Sequence, residues 1–190
     1  MEPPANAREL DEVSLSLARR GDERACRRLV ETYERAVFAL LSRLLLSHRA
    51  LVEDLAQETF LRVFRALPGF VSDGPARLST WILTIATRLA LDELKRRRPA
   101  SAPFELAARV PTAGDPERRL DDGRLRRALE AALAELPAEQ RAVFVLREHH
   151  ELAYEEIARS LEVDVGTVKS RLFRARTSLR ARLMEVRDAL

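Results

Sequence analysis

The sequence predicts an all-α protein built as two small helical domains joined by a flexible linker. Three observations carry this. Glycine is scarce, 6 in 190 residues, and the chain is dominated by Ala, Leu, Glu and Arg, which are strong helix formers. Apolar residues recur at three- and four-residue spacing, and no alternating apolar stretch of useful length interrupts them. Between two such blocks, residues 99–123 (PASAPFELAARVPTAGDPERRLDDG) hold four of the nine prolines, Pro99, Pro103, Pro111 and Pro116, with two glycines and few large apolar residues. That composition suits a linker and not a core element. The predicted units are therefore 10–98, the linker 99–123, and 124–190.

The first block reads as four helices, at about Leu10–Arg20, Asp22–Ser47, Ala50–Leu67 and Ser79–Arg97. Asp22 follows Gly21 and is placed to cap the second helix. The stretch LPGF (Leu67–Phe70) stops the third, and Ser79 or Thr80 is placed to cap the fourth. The second block reads as Pro116–Glu135, Ala138–His149, Tyr154–Leu161 and Val165–Val186, the first of these beginning inside the end of the linker.

Several function classes drop out early. Net charge is only +3, so the distribution of charge matters more than its sum. Arg supplies most of the cations, and its planar fork suits phosphate and guanine. Cys26 is the only cysteine, which excludes an intramolecular disulfide and reads as a packing residue. The opening MEPPANARELDEVSL has no apolar core after a basic stretch, so it does not read as a signal peptide. The longest apolar run, Ala39–Leu46, is broken by Ser42 and Arg43 and is too short to span a bilayer. The expectation is a cytoplasmic, soluble protein. HHEL (His149–Leu152) lacks the second histidine that a zinc-protease helix needs, and reads as a solvated helix end. No Gly-rich phosphate loop, no nucleophile constellation and no metal motif appears in the sequence.

Three helix faces call for more than packing. On the third helix, Val52, Leu55, Ala56, Thr59, Val63 and Leu67 form the core stripe. The other side sets Leu61 and Phe64 among Asp54, Gln57 and Glu58, either a protein contact with apolar anchors in a polar rim or a face covered by a neighbouring helix. On the fourth helix, Ile82, Ile85, Ala86 and Leu89 form the core stripe. The outward side carries Thr80, Thr84, Thr87, Arg88, Leu91 and Lys95, and the helix ends in KRRR (Lys95–Arg98). Trp81 sits at the edge of this side, as core or as a stacking platform. An acid-poor, hydroxyl-rich stripe of this kind can follow a phosphate backbone.

The third face lies at the chain's end. YEEIARSLEVDVGTVKSRLFRAR has a helix-turn-helix rhythm, with EVDV as the turn. Gly166–Arg182 holds six basic residues and no acid. Val168, Leu172, Ala175, Leu179 and Leu183 share one apolar stripe. Lys169, Ser170, Phe173 and Arg174 lie off it in the first two turns, the part of a recognition helix that reaches base edges. Gly166 or Thr167 opens this helix, where hydroxyl and N–H groups can meet a phosphate. Arg176, Arg180 and Arg182 read either as phosphate contacts or as solvated flanks.

EDLAQETFLRVFRALPGF, STWILTIATRLALDELKRRRP, LAELPAEQRAVFVLRE, YEEIA and GTVKSRLFRAR together resemble the bacterial extracytoplasmic-function (ECF) sigma factors, the small two-domain members of the sigma-70 family. The resemblance runs over residues 10–185 in the family's order. It implies a sigma-2-like domain over 10–98 and a sigma-4-like helix-turn-helix domain over 124–190. It implies an alternative sigma factor that binds core RNA polymerase, through the β′ clamp and β flap, and directs promoter-specific initiation.

The residues follow the motifs. Asp54, Gln57, Glu58, Phe60 and Leu61 match the core-polymerase-binding segment. Arg77, Trp81, Thr84, Arg88, Lys95 and Arg96 fall where the family captures and melts the −10 element. Thr167, Lys169, Ser170, Arg171, Phe173, Arg174 and Arg176 fall on the helix that reads the −35 element. Control by an anti-sigma factor, which can hold such a protein at the inner membrane face, is also implied. The chain departs from the family pattern in four places: Arg88 stands where many members have Asn, the loop before Trp81 is longer than usual, HHELAYEEIA lacks the Gly often found before that helix, and Glu162 replaces a frequent turn Gly. The resemblance also implies a protein that is not an enzyme, with no catalytic residue, no cofactor and no small-molecule substrate.

Overall fold

A computed structural model describes residues 9–46, 49–72, 74, 76–97 and 128–188. The predicted linker 99–123 and both of its boundaries lie outside the described residues. The architecture is helical: α1 (Glu12–Arg19), α2 (Glu23–Leu45), α3 (Arg49–Ala66), a 3-10 turn (Leu67–Gly69) and α4 (Leu78–Arg97). In the second block a helix over residues 128–135, here α5, is followed by α6 (Ala138–Glu148), α7 (Tyr154–Leu161) and α8 (Val165–Asp188). Among the described residues there is no strand.

Local chemistry sets the element ends. The Asp11 carboxylate accepts the Ser14 N–H and hydroxyl at 2.9 and 2.7 Å, opening α1. Gly21 takes φ +81°, the left-handed turn that separates α1 from α2. Asp22 then accepts the Ala25 N–H at 2.9 Å and caps α2, as its position predicts. The start of α4 differs from expectation. The helix begins at Leu78, so Ser79 and Thr80 lie inside its first turn and are buried, instead of capping it. Ser79 donates its hydroxyl to Glu9, which ties α4 to the segment before α1.

Helix α2 is the central post. Leu29, Tyr33, Val37, Leu40, Leu41 and Leu44 are almost completely buried along one face, each large aliphatic side chain contributing about 1.5–3 kcal/mol relative to exposure. The Tyr33 hydroxyl accepts the buried Leu10 N–H at 2.9 Å and donates to Glu9 at 3.0 Å, so the polar tip is satisfied inside the core. Arg19 fastens the other end of α1. It donates to the Phe70 carbonyl and the Ser72 hydroxyl at 2.6 and 3.0 Å, and lies over the Phe70 ring. Phe70 in turn packs on Trp81, ring centroids 5.1 Å apart. The only tryptophan is thus half-buried packing at the rim of the core.

The two blocks are not independent in space. One buried cluster runs from Leu10 through α2, α3 and α4 into α6, α7 and the start of α8. A second, small cluster joins α5 to the middle of α8 through Ala132, Leu133, Leu136, Ala175 and Leu179. Helix α4 packs on α2, α3, α6 and α7. The periodicity of α4 therefore misleads: Thr80, Thr87 and Leu91, expected outward, are buried, because α6 and α7 pack on this helix as well.

His150 is the other correction. Expected at a solvated helix end, it is 1% exposed, edge-on to His149 at 4.8 Å. Glu151 turns the chain back at φ 57°, which buries His150 behind it. Burial, then the nearby His149 and Arg43, push the His150 imidazole down to about 3. The folded protein thus keeps His150 neutral where the unfolded chain, near the ordinary 6.5, is protonated. This contribution to stability is complete above pH 6.5 and is lost as pH falls towards 3, at up to ~1.4 kcal/mol per pH unit. Urea unfolding at pH 7.5 and 5 should reveal about 1–2 kcal/mol of acid destabilisation in the native chain that His150→Leu lacks. An equal acid loss in both proteins would contradict a buried neutral His150.

Candidate nucleic-acid interface

Helices α6, α7 and α8 form a compact helix-turn-helix. The Glu156 side chain accepts the Ala153 N–H at 2.8 Å at the start of α7. Glu162 ends α7 in the left-handed conformation, φ 55° and ψ 45°, and the Val163 N–H returns to the Ala158 carbonyl at 3.0 Å. Asp164 then caps α8: its carboxylate accepts the Thr167 N–H at 2.7 Å and the Thr167 hydroxyl at 2.6 Å. These bonds hold the Asp164 carboxyl below the usual carboxylate range. Gly166 fits tightly here, since a Cβ would come within 2.9 Å of the Asp164 Oδ1. The donors that the sequence offers to a phosphate at Thr167 are thus already engaged by Asp164.

Around α8 the first four residues of the expected stripe are buried, and Leu183 is half-buried. Val168, Leu172, Ala175 and Leu179 are all at most 4% exposed. Lys169, Ser170, Phe173 and Arg174 face outward, with Phe173 71% exposed. An aromatic ring this bare between cations is unlike a merely solvated face. Arg171 is half-buried. The tail is different. Arg176 donates to Glu148 of α6 at 3.0 Å, and Arg182 pairs with Glu135 of α5 at 2.6 Å. Both spend their charge within the domain.

Two contacts on this surface escaped the sequence reading. The Lys169 ammonium lies 5.9 Å from the centre of the Tyr154 ring, and the Arg147 guanidinium lies 5.0 Å from it. Tyr154 is thus a platform under the reading edge. An aromatic at the first position of α7 was the available signal. Asp164, as the α8 cap, was legible only as part of a turn.

On α4 the outward candidates divide. Arg77, Lys95 and Arg96 are exposed, and Arg96 and Arg97 both bind Glu93, whose carboxyl they pull down to about 2. Thr84 and Arg88 instead meet the second block. The Thr84 and Ser160 hydroxyls lie 2.6 Å apart, and the Arg88 Nε donates to the Ser160 carbonyl at 2.9 Å. Arg88 also pairs with Glu162 at 3.0 Å, and Thr80 donates to Glu156 at 3.1 Å.

On α3 the outward patch is real in part. Asp54 and Gln57 are exposed, Leu61 is 42% exposed, and Glu58 pairs with Arg62 at 2.7 Å. Phe64 packs half-buried against the core. Phe60, which matches the same core-polymerase-binding segment, is only 8% exposed. The turn of the helix directs it into the core.

With this geometry in view, likeness to known proteins is informative. Residues 29–99 match the family described as Sigma-70 region 2, and residues 126–179 match Sigma-70, region 4. The ECF RNA polymerase sigma-E factors of Salmonella typhimurium (strain LT2) and Escherichia coli (strain K12) are each 34% identical over 179 residues, 89% of this chain and 92% of theirs. The ECF RNA polymerase sigma factor SigE of Mycolicibacterium smegmatis is 43% identical over 132 residues, 67% of this chain and 50% of that one. Among solved structures, CnrH in complex with the cytosolic domain of CnrY is similar with a TM-score of 0.64 and 27% identity, covering 92% of this chain and 97% of CnrH. The sigma factor RpoE of Bartonella quintana, solved with the anti-sigma factor NepR, shares the fold at a TM-score of 0.65 and 22% identity, over 83% and 96% of the two chains.

The α8 cap gives a direct test. Asp164→Ala should lower Tm by about 2–5 °C through loss of the cap, and Asp164→Asn by less. Equal Tm for the native chain and Asp164→Ala in a thermal melt would contradict the capping role.

Proposed function

This chain belongs to the ECF sigma factors of the sigma-70 family, and from that premise we propose how its residues carry the work of a promoter-specificity subunit. It binds core RNA polymerase and directs it to promoters by recognising a −35 and a −10 element and aiding melting of the latter. The units 10–98 and 124–190 divide the task, with 99–123 as linker. The protein acts by binding, not as an enzyme, and needs no cofactor. It works in the cytoplasm, where the polymerase is; no helix among the described residues is long and apolar enough to cross a membrane. An anti-sigma factor controls it, and the capture of CnrH by the cytosolic domain of a second protein supports a partner of that kind.

The observation that carries the reading is the edge of α8. Lys169, Ser170, Phe173 and Arg174 stand outward in its first two turns while the opposite stripe is buried. A helix seated in a major groove offers those turns to base edges. Lys169 and Arg174 donate to bases, Phe173 meets apolar base surface such as a thymine methyl, and Arg171 and Thr167 support the edge. Arg176, already paired with Glu148, serves phosphate at most by exchanging that partner. On the first unit, Arg77, Trp81, Lys95 and Arg96, with Thr84 and Arg88, form the −10 surface. Asp54, Gln57 and Glu58 rim the exposed Leu61 as the contact to the β′ clamp, an apolar anchor inside a polar border. The β flap is a second contact with core.

Purified protein added to bacterial core polymerase should support run-off initiation on promoter fragments selected from genomic DNA. If saturating protein leaves core inactive on every selected fragment, the reading fails. Leu61→Glu should weaken binding to core at least about tenfold with an unchanged helical spectrum, as loss of an interface anchor does. Unchanged affinity would remove Leu61 from the docking face. Arg174→Ala should cost ~1–3 kcal/mol at one promoter position and relax specificity there. An equal loss on all sequences in a binding-site selection would make Arg174 a phosphate contact instead.

A further inference from the structure

The last turn of α4 carries an arrangement that the periodicity of the helix does not require. Lys95, Arg96 and Arg97 follow one another, and all three are exposed. Cations here complement the helix dipole, and a merely solvated run would spread them apart to lower their mutual repulsion. Instead one carboxylate gathers two of them. Glu93 stands three residues before Arg96 and four before Arg97, so both fall on its face of the helix. The Arg96 Nε and Nη2 donate to the two oxygens of Glu93, each at 2.9 Å, as a fork on a fork. The Arg97 Nε donates to the same Oε1.

The acid and its two cations differ in exposure. The Glu93 side chain is only 10% exposed, while those of Arg96 and Arg97 are 76% and 51% exposed. The acid is tucked beneath the groups it holds. Arg96 and then Arg97 hold its carboxyl down to about 2, so it stays ionised at any working pH. Both guanidiniums meet it through their Nε side. The Arg96 Nη1 and the Arg97 Nη1 and Nη2 take no partner among the described residues. Two guanidinium ends are left to solvent beside one another, on an anchor that solvent barely reaches. Planar donors held side by side on stems already fixed suit a phosphate. Lys95 lies about two turns beyond Arg88 on the same line of α4, whereas Glu93, Arg96 and Arg97 lie round the helix from that line.

We infer that Glu93 is a positioning residue that joins Arg96 and Arg97 into one phosphate site, whose ligand is a backbone phosphate of promoter DNA bordering the −10 element. This rests on the −10 role proposed above for α4. A phosphate supplies the oxygens that the spare Nη groups lack, and it fixes register without reading sequence. The acid is therefore part of an anion site. Its hold on the arginines outweighs its own repulsion of the phosphate, because two cations already meet its charge.

The test titrates holoenzyme made with the full chain onto one of the selected promoter fragments over a potassium chloride series. Arg97→Ala should weaken binding about threefold to tenfold at about 0.1 M salt, and lower the slope of log affinity against log salt by about 1. The preferred sequence should stay the same, as it does when a phosphate contact is lost. Glu93→Ala should weaken binding at least about twofold, the freedom regained by one side chain, although it removes a negative charge beside DNA. With Arg96→Ala and Arg97→Ala already in place, Glu93→Ala should no longer weaken binding, since the acid then has no arginine to hold.

Unchanged or tighter binding by Glu93→Ala would reduce the acid to a charge neutraliser. An equal loss in both backgrounds would make its effect structural, and an unchanged salt slope in Arg97→Ala would remove the phosphate. Each of these overturns the site, while native initiation leaves the sigma-factor reading standing. If the native holoenzyme neither binds nor initiates on any selected fragment, that reading falls and the site with it.

Discussion

The enclosure of α4 is the constraint on which the rest of the structure depends. This helix touches α2 and α3 of its own block and α6 and α7 of the other. A helix with threonines at 80, 84 and 87 does not ordinarily tolerate such burial, because each lost hydroxyl partner costs about 1–3 kcal/mol. Here Thr84 and Thr87 return their hydroxyls to the Thr80 and Leu83 carbonyls at 2.8 and 2.7 Å, and Thr80 finds Glu156. With the hydroxyls satisfied, apolar residues of both blocks join one cluster.

The recognition edge of α8 follows a different logic. Its start and its rotation are fixed by contacts within the chain. Asp164 fixes the helix start, the buried stripe fixes its rotation, and Tyr154 lies under Lys169. A side chain already oriented loses less freedom on binding. The ion pairs of Arg176 and Arg182 with α6 and α5 then make the later turns structural. The basic stretch is therefore two things, a short outward-facing start and a longer brace.

Most of the fold was legible because helical periodicity, capping residues and a proline-rich break are local signals. The stripes of α3 and α8 came out as the period predicts, and Asp22 caps as placed. What was hidden came from contacts distant in sequence. Thr80, Thr87 and Leu91 look exposed until α6 and α7 cover them. Phe60 matches a docking motif but turns into the core, and His150 is buried by a left-handed residue that follows it. Of the candidate site, the α8 edge was readable because an amphipathic helix displays its surplus face. The link from Arg88 to Glu162 was not, since no pattern within either helix pairs them, although both stood out as departures.

The contacts across α4 and α7 require that the free chain hold its two blocks together. Glu34 and Ser178 are exposed, one on α2 and one on α8, and probes attached at Glu34→Cys and Ser178→Cys in a Cys26→Ala background report the separation. Pulsed electron-spin distance measurement should give one short, narrow distance in the free protein. A broad spread of longer distances in the free protein would contradict the account.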